Sequence, residues 1–335
     1  MSAPRSHGLP SPTICAAIVI AMLAMLAVPA AITLHTVHIP GPPIPVNQHS
    51  TPHCYTWSLL LFIVPIAVIG GWFLPSEGLR IPQRASFWTL AILVPLGFLL
   101  DFVFAQWFFC YPNLGATLGI PAAALGHSVP IEEYVFYLTG FLVVLLLYIW
   151  LGEFWLAAYN VPDYPAEAQA VGRRLLQFHP TSLILALLLI GAAYVYKKNF
   201  ALPADRAGFP GYFTLLVAGG LAPAISFFPV VRGFINWRAF SLTFIFILLT
   251  SLMWEATLAV PYSWWNYQHR QMLGFFIGAW AGLPLEAVCV WIAVTYATVI
   301  VFEVVKVRLA AAHSPGQEQG GSPALLGMPL RGGIN

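Results

Sequence analysis

Polar positions are so sparse along this chain that its pattern is a series of long apolar runs cut by short breaks. Runs at residues 14–34, 57–73, 87–108, 131–151, 181–196, 212–228, 241–260 and 284–305 are each bounded by charge, proline or glycine. A helix needs about 20 apolar residues to cross a bilayer. The runs therefore predict an all-α, polytopic membrane protein of eight helices. The run at 14–34 is read as a retained helix rather than a secretory signal, because it is long for a signal core and only Arg5 precedes it. Residues 35–53 hold Pro40, Pro42, Pro43, Pro45 and Pro52 and read as an extended linker.

Composition narrows the class. Of 335 residues, 59% are hydrophobic and 8% charged, against about 25% charged in soluble domains. The fourteen basic residues are scattered and the net charge is +2, so nucleic acid is not an expected partner, whereas the lipid bilayer is. Cys15, Cys54, Cys110 and Cys289 form no CxxC pair, so neither a disulfide framework nor a metal site is indicated. No cofactor is expected. Assigning alternate loops to the two membrane faces puts ten of the fourteen Lys and Arg residues on the side of both termini. By the positive-inside rule that side is cytoplasmic.

Sliding the chain on itself by 154 residues aligns Pro75 with Pro229, Ile81 with Ile235, Arg84 with Arg238, Thr89 with Thr243, Pro130 with Pro284 and Glu132 with Glu286. Asp101 falls on Glu255. Hydrophobic resemblance alone does not keep acids, an arginine and prolines in one frame. The expected organisation is an N-terminal helix and Pro-rich loop (1–54), repeat 1 (55–152), a loop and spacer helix (153–210), repeat 2 (211–307) and a disordered tail (308–335). An odd spacer helix lets two three-helix units enter the membrane in the same direction, as a parallel repeat.

Candidate chemistry lies with five acids in or at the mouth of spans: Asp101, Glu132, Glu133, Glu255 and Glu286. Charge inside a bilayer costs roughly 2.5–3.5 kcal/mol on insertion scales and marks functional sites by default. Pro-x-Glu also has a structural reading, since proline suits a helix start and an acid there meets the positive end of the dipole. The segments preceding both prolines, 114–129 and 273–283, are rich in Gly, Ala and Pro and read as re-entrant or broken helices. Aromatic side chains crowd the same regions. Trp107, Tyr111, Tyr137, Trp265, Tyr267 and Trp291 are the candidate substrate-binding rings, with an interfacial belt as the alternative. His127 and His269 lie near the acid mouths.

The stretches LLDFVFAQWFFCYPN (99–113), PIEEYVFY (130–137), SWWNY (263–267) and PLE (284–286), with Glu255, resemble the integral-membrane lycopene cyclase family. That family occurs as paired small subunits in actinobacteria and as fused, duplicated chains in archaea and fungi. The resemblance spans about residues 55–307 and implies cyclisation of the ends of lycopene or a related linear carotenoid into ionone rings, without net redox change. It implies Glu132 and Glu133 as leading acid/base groups, Glu286 as a second partner, and Asp101 and Glu255 as relay or supporting acids. One departure stands out: Ala287 occupies the place of the second glutamate in the second motif. The other classes open to this pattern are a different isoprenoid-modifying enzyme and a proton- or cation-coupled transporter. The apolar cytoplasmic halves of the helices weigh against a transporter. Oligomeric state is not encoded in any of these features.

Overall fold

A computed structural model describes residues 52–79, 81–125, 127–160 and 180–313. The expected first helix at 14–34, most of the Pro-rich linker, the core of the 153–174 loop and the chain after 313 lie outside the described residues. The fold is mostly helical, 73% helix with a few short strands. Among the described residues, five helices are long and apolar enough to cross a membrane: α1 (Cys54–Ser76), α2 (Gln83–Phe108), α3 (Ile131–Trp155), α6 (Trp237–Ala259) and α7, whose apolar span is Leu285–Ala310. Between α3 and α6 lie α4 (Pro180–Asn199) and α5, residues 211–231, the latter built from Gly211–Leu215, Leu216–Leu221 and Ala222–Val231.

The helix ends follow from local chemistry. Pro82 precedes α2, and Asn236 caps α6 by accepting a hydrogen bond from the Ala239 N–H at 3.2 Å, meeting one of the donors a helix start leaves orphaned. Pro130 and Pro284 each close a strand and hand the chain to α3 and α7, where a missing N–H carries no penalty. Helix α7 continues to His313, past the expected boundary at 307. The reason is local: Ala310, Ala311 and Ala312 are the strongest helix formers and extend it.

The Gly/Ala/Pro-rich segments are not broken helices. Strand β2 (Pro121–Ala124) pairs antiparallel with β3 (His127–Pro130), and β5 (Phe276–Ile277) pairs with β6 (Leu283–Pro284). Gly119, Gly274 and Gly282 hold positive φ of 72°, 88° and 74°, left-handed turns that end helical continuation. The hairpins satisfy backbone groups that a broken helix would leave open. A third pair, β1 (Phe109–Cys110) with β4 (Asn266–Tyr267), ties the end of α2 to the segment after α6.

Helix α3 is the centre of the bundle: 67% of its apolar window is buried, against 22% for α1 and α2. The outer helices turn Trp57, Trp72, Phe87 and Leu99 outward, an apolar exterior suited to lipid. Helices surrounded by lipid gain nothing from the hydrophobic effect on associating, so close packing must hold them. Gly97 shows this on α2. A Cβ at that position would lie 2.8 Å from Tyr137 and 3.0 Å from Phe141 on α3. Gly97→Ala is expected to force the helices apart, lowering thermal stability in detergent by about 1–3 kcal/mol, the usual cost of overpacking. An unchanged melting curve would show that the contact yields freely. At the far end of the bundle Tyr148 donates to Glu303 at 2.8 Å and accepts from the Asn236 N–H at 3.1 Å, which joins α3, α6 and α7. Arg238 stacks 3.5 Å above the Tyr159 ring there.

Candidate active site

The hairpins explain the two register-matched glutamates. Glu132, in the first turn of α3, is buried, and its Oε1 accepts hydrogen bonds from the Leu118 N–H at 2.7 Å and the Thr56 hydroxyl at 2.5 Å. Glu286, in the first turn of α7, is fully buried, and its Oε1 accepts from the Leu273 N–H at 2.5 Å. Each carboxyl reaches back to the segment entering its own hairpin. Lys197, from α4, supports the second one by donating to the carbonyls of Met272 and His269. Both glutamates fasten backbone. Glu132→Ala and Glu286→Ala, which leave a part-buried Leu118 N–H and a buried Leu273 N–H without their acceptor, are expected to cost up to about 1–3 kcal/mol, the larger loss for Glu286→Ala, read as a lower melting temperature and faster proteolysis between residues 114 and 129 or 273 and 283. Undiminished stability in both would remove this role.

Glu133, one residue on, faces elsewhere. It lines a cavity of ≈ 60 Å³, and its Oε1 accepts from the Tyr55 hydroxyl at 2.6 Å, joining α3 to α1. Glu255, from α6, lines the same cavity. It opens a π-helical segment, Glu255–Ala259, and both of its oxygens accept hydrogen bonds: Oε2 from the Tyr267 hydroxyl and Oε1 from Trp291 Nε1 at 3.1 Å. The two donors fix the orientation of this carboxyl. The remaining wall is aromatic, with Trp254 and Trp265 centroids 5.0 Å apart, Tyr55 and Trp265 at 5.2 Å, and Phe136 and Trp254 at 5.3 Å.

Asp101, on α2, is 2% exposed, and neither of its oxygens has a hydrogen-bond partner. It lies in a neighbouring apolar space of ≈ 260 Å³ that shares Tyr137, Phe141, Tyr212 and Val294 with the first cavity. Its register mate Glu255, one methylene longer, reaches two donors; Asp101 reaches none. Ala287, the register mate of Glu133, is fully buried. The site is thus chemically lopsided.

Of the rings singled out from sequence, Tyr137, Trp265, Tyr267 and Trp291 stand on the cavity wall. Trp107 does not: it is 61% exposed on the outer surface. Tyr111 sits behind the wall, where burial and the charges of Glu133 and Asp101 push its phenol well above the ordinary value of 10.0. Burial and then Glu255 do the same for Tyr267, so both stay O–H donors at working pH. His269 turns to Asp205, Nδ1 to Oδ1 at 3.0 Å, and lines neither cavity. Phe136 was among the rings crowding the first acid region, but sequence reasoning missed Tyr55, Tyr212 and Trp254, rings in or beside apolar runs that look like any core aromatic. The one available signal was that Tyr55 and Tyr212 open the first helix of each expected unit. Among the described residues no group of three or more His, Cys, Asp or Glu is placed to hold a metal ion.

The arrangement can hold an apolar ligand out of water, offer it a carboxylic acid, and surround positive charge with π faces and a fixed carboxylate. Comparison of the chain with protein-family models, with curated proteins and with solved structures returns no match.

Proposed function

We propose that the chain is an integral-membrane carotenoid cyclase that forms ionone rings at the ends of lycopene or a related linear carotenoid. The observation that carries this reading is the pair Glu133 and Glu255, two carboxyl groups from different helices lining one aromatic cavity. The motif resemblance at 99–113, 130–137, 263–267 and 284–286 supports it. So does the order of elements, in which helix, helix, hairpin, helix occurs as α1–α3 and again as α5–α7, with α4 between. In this reading the protein has eight helices, two parallel three-helix units and both termini in the cytoplasm.

Glu133 in its acid form donates a proton to the terminal carbon–carbon double bond, making a C–H bond and a tertiary carbocation. The next double bond attacks that cation, closing the ring and moving the charge to a ring carbon. Loss of a ring proton to a carboxylate restores a double bond, so substrate and product are isomers. Glu255, held by Tyr267 and Trp291, stabilises the cation electrostatically, and Trp254, Trp265 and Phe136 present their faces to it. Glu132 and Glu286 hold the hairpins in place and take no part in proton transfer. Expression in a lycopene-accumulating bacterial host tests the activity. Cyclic carotenoids are expected in place of lycopene, and unchanged lycopene in cells containing the folded protein would refute the reading.

A further inference from the structure

The apolar space holding Asp101 is a groove rather than a pit. Its walls are α2 and α5 and its floor is α7; α2 packs against α3 and α7, while α5 packs against α4 and α7. On α2 the lining runs from Ile92 to Phe108, about 24 Å at 1.5 Å per residue. The outer lip, Ile92 and Leu96, is 49% and 42% exposed on the surface suited to lipid. The inner end shares its wall with the acid cavity.

The sequence keeps this groove open. Wall and floor carry Gly219, Gly220, Ala293 and Ala297, so no long side chain fills the space. Gly219 and Gly220 fall in the π-helical segment Leu216–Leu221, just before Pro223, which cannot donate to the carbonyl four residues back. That wider turn sets the small residues on the groove wall. On the α2 wall of the groove stands Asp101, buried with both oxygens unpartnered. A bare carboxyl in an apolar slot is costly to bury, and with no donor engaging it, it is free to meet a cationic ring carbon and take its proton.

The geometry points to this groove as the binding site for the long polyene arm of a linear isoprenoid hydrocarbon that enters sideways from the bilayer, one end in the acid cavity, with Asp101 on the α2 wall accepting the ring proton. The inference rests on the cyclase reading for its reaction and on the groove alone for its binding. In this arrangement the arm lies in the groove and only one end reaches the acid cavity, so each binding event presents a single end of the substrate. The proton balance closes: Glu133 gives one proton to the inner carbon of the terminal double bond, which leaves the tertiary cation, Asp101 takes one from the new ring, and proton exchange with solvent between turnovers restores both carboxyls.

Lycopene binding to purified Glu133→Gln protein in detergent, followed by the circular dichroism that a chiral site induces in a bound polyene, separates the two layers. Groove-filling Gly219→Leu and Ala297→Phe, each in the Glu133→Gln background, should weaken binding at least 10-fold. Phe246→Trp, on the lipid-facing side of α6 away from the groove, should leave it unchanged. Asp101→Asn in the otherwise native chain should keep KM within about twofold while kcat falls at least 10²-fold, the range of a lost acid–base group. Binding unaffected by both groove variants would overturn the groove, as would groove variants that lose binding only to the extent that Phe246→Trp does. Asp101→Asn with native kcat would overturn its role as acceptor. If lycopene binds as expected but native protein never cyclises it, the cyclase reading fails and the groove stands.

Discussion

Glu133→Gln is expected to lower the rate of ring formation at least 10²-fold, within the 10²–10⁴ range that a positioned acid contributes, without unfolding the protein. Glutamine has the volume of glutamate, and its carbonyl oxygen still accepts the 2.6 Å hydrogen bond from Tyr55, but its amide has no acidic proton to give an alkene. The neighbouring substitution is the internal control. Glu132→Gln keeps an oxygen to accept from Leu118 and Thr56, so hairpin and activity should survive close to native. Adjacent, chemically identical residues are thus expected to differ by two orders of magnitude in kcat. If Glu132→Gln were the inactive variant at native stability, the roles assigned to the two residues would be exchanged.

Glu255→Gln is expected to cost about 10²–10³-fold in kcat, the loss seen when one preorganised electrostatic contact to a developing charge is removed, with KM changed far less. Two effects act together. The negative charge facing the carbocation disappears, and the amide NH₂ must meet one of two donors, the Tyr267 hydroxyl or Trp291 Nε1, that both aim at the carboxyl. Tyr267→Phe removes only a donor and leaves the charge, so its loss should be smaller. A Glu255→Gln enzyme with native kcat would show that the cation is stabilised by the rings alone.

The parts of this molecule written in local pattern were readable beforehand. Five of the eight apolar runs, each bounded by Pro, Gly or charge, correspond to the five helices long and apolar enough to cross a membrane among the described residues, and Pro130 and Pro284 sit immediately before α3 and α7. What was hidden depends on contacts between distant residues. That Glu132 turns to Leu118 while Glu133 turns to Tyr55, 78 residues away, is a matter of which helix face meets which neighbour, and two adjacent glutamates look alike in one dimension. The hairpins were hidden for the same reason. Pro121–Ala124 and His127–Pro130 have weak strand propensity and form strands because they pair with each other. Trp107, aromatic and near Asp101 in sequence, faces outward because its position on α2 lies on the lipid side, whereas Tyr212, more than 100 residues further along, completes the cavity.

In the proposed two-unit reading, the same geometry explains why duplication need not yield two equal sites. The second copy carries Ala287 where the first has Glu133, and a fully buried Ala287 packs as core. The first copy carries Asp101 where the second has Glu255, and that shorter side chain is left without donors. In that reading the proposed acid, counter-charge and unpartnered carboxyl come from three positions that the register pairs only in part, lining one cavity and the neighbouring groove.

The central claim is that a carboxylic acid of this protein protonates the substrate and that a ring proton is then lost. Mass spectrometry of carotenoids formed from lycopene by the purified protein in deuterated water tests it directly. Solvent-derived deuterium on Glu133 should be delivered to the terminal alkene while hydrogen leaves the ring, so the product should carry one deuterium for each ring formed. Cyclic product without deuterium, or lycopene left unchanged by folded protein, would contradict the account.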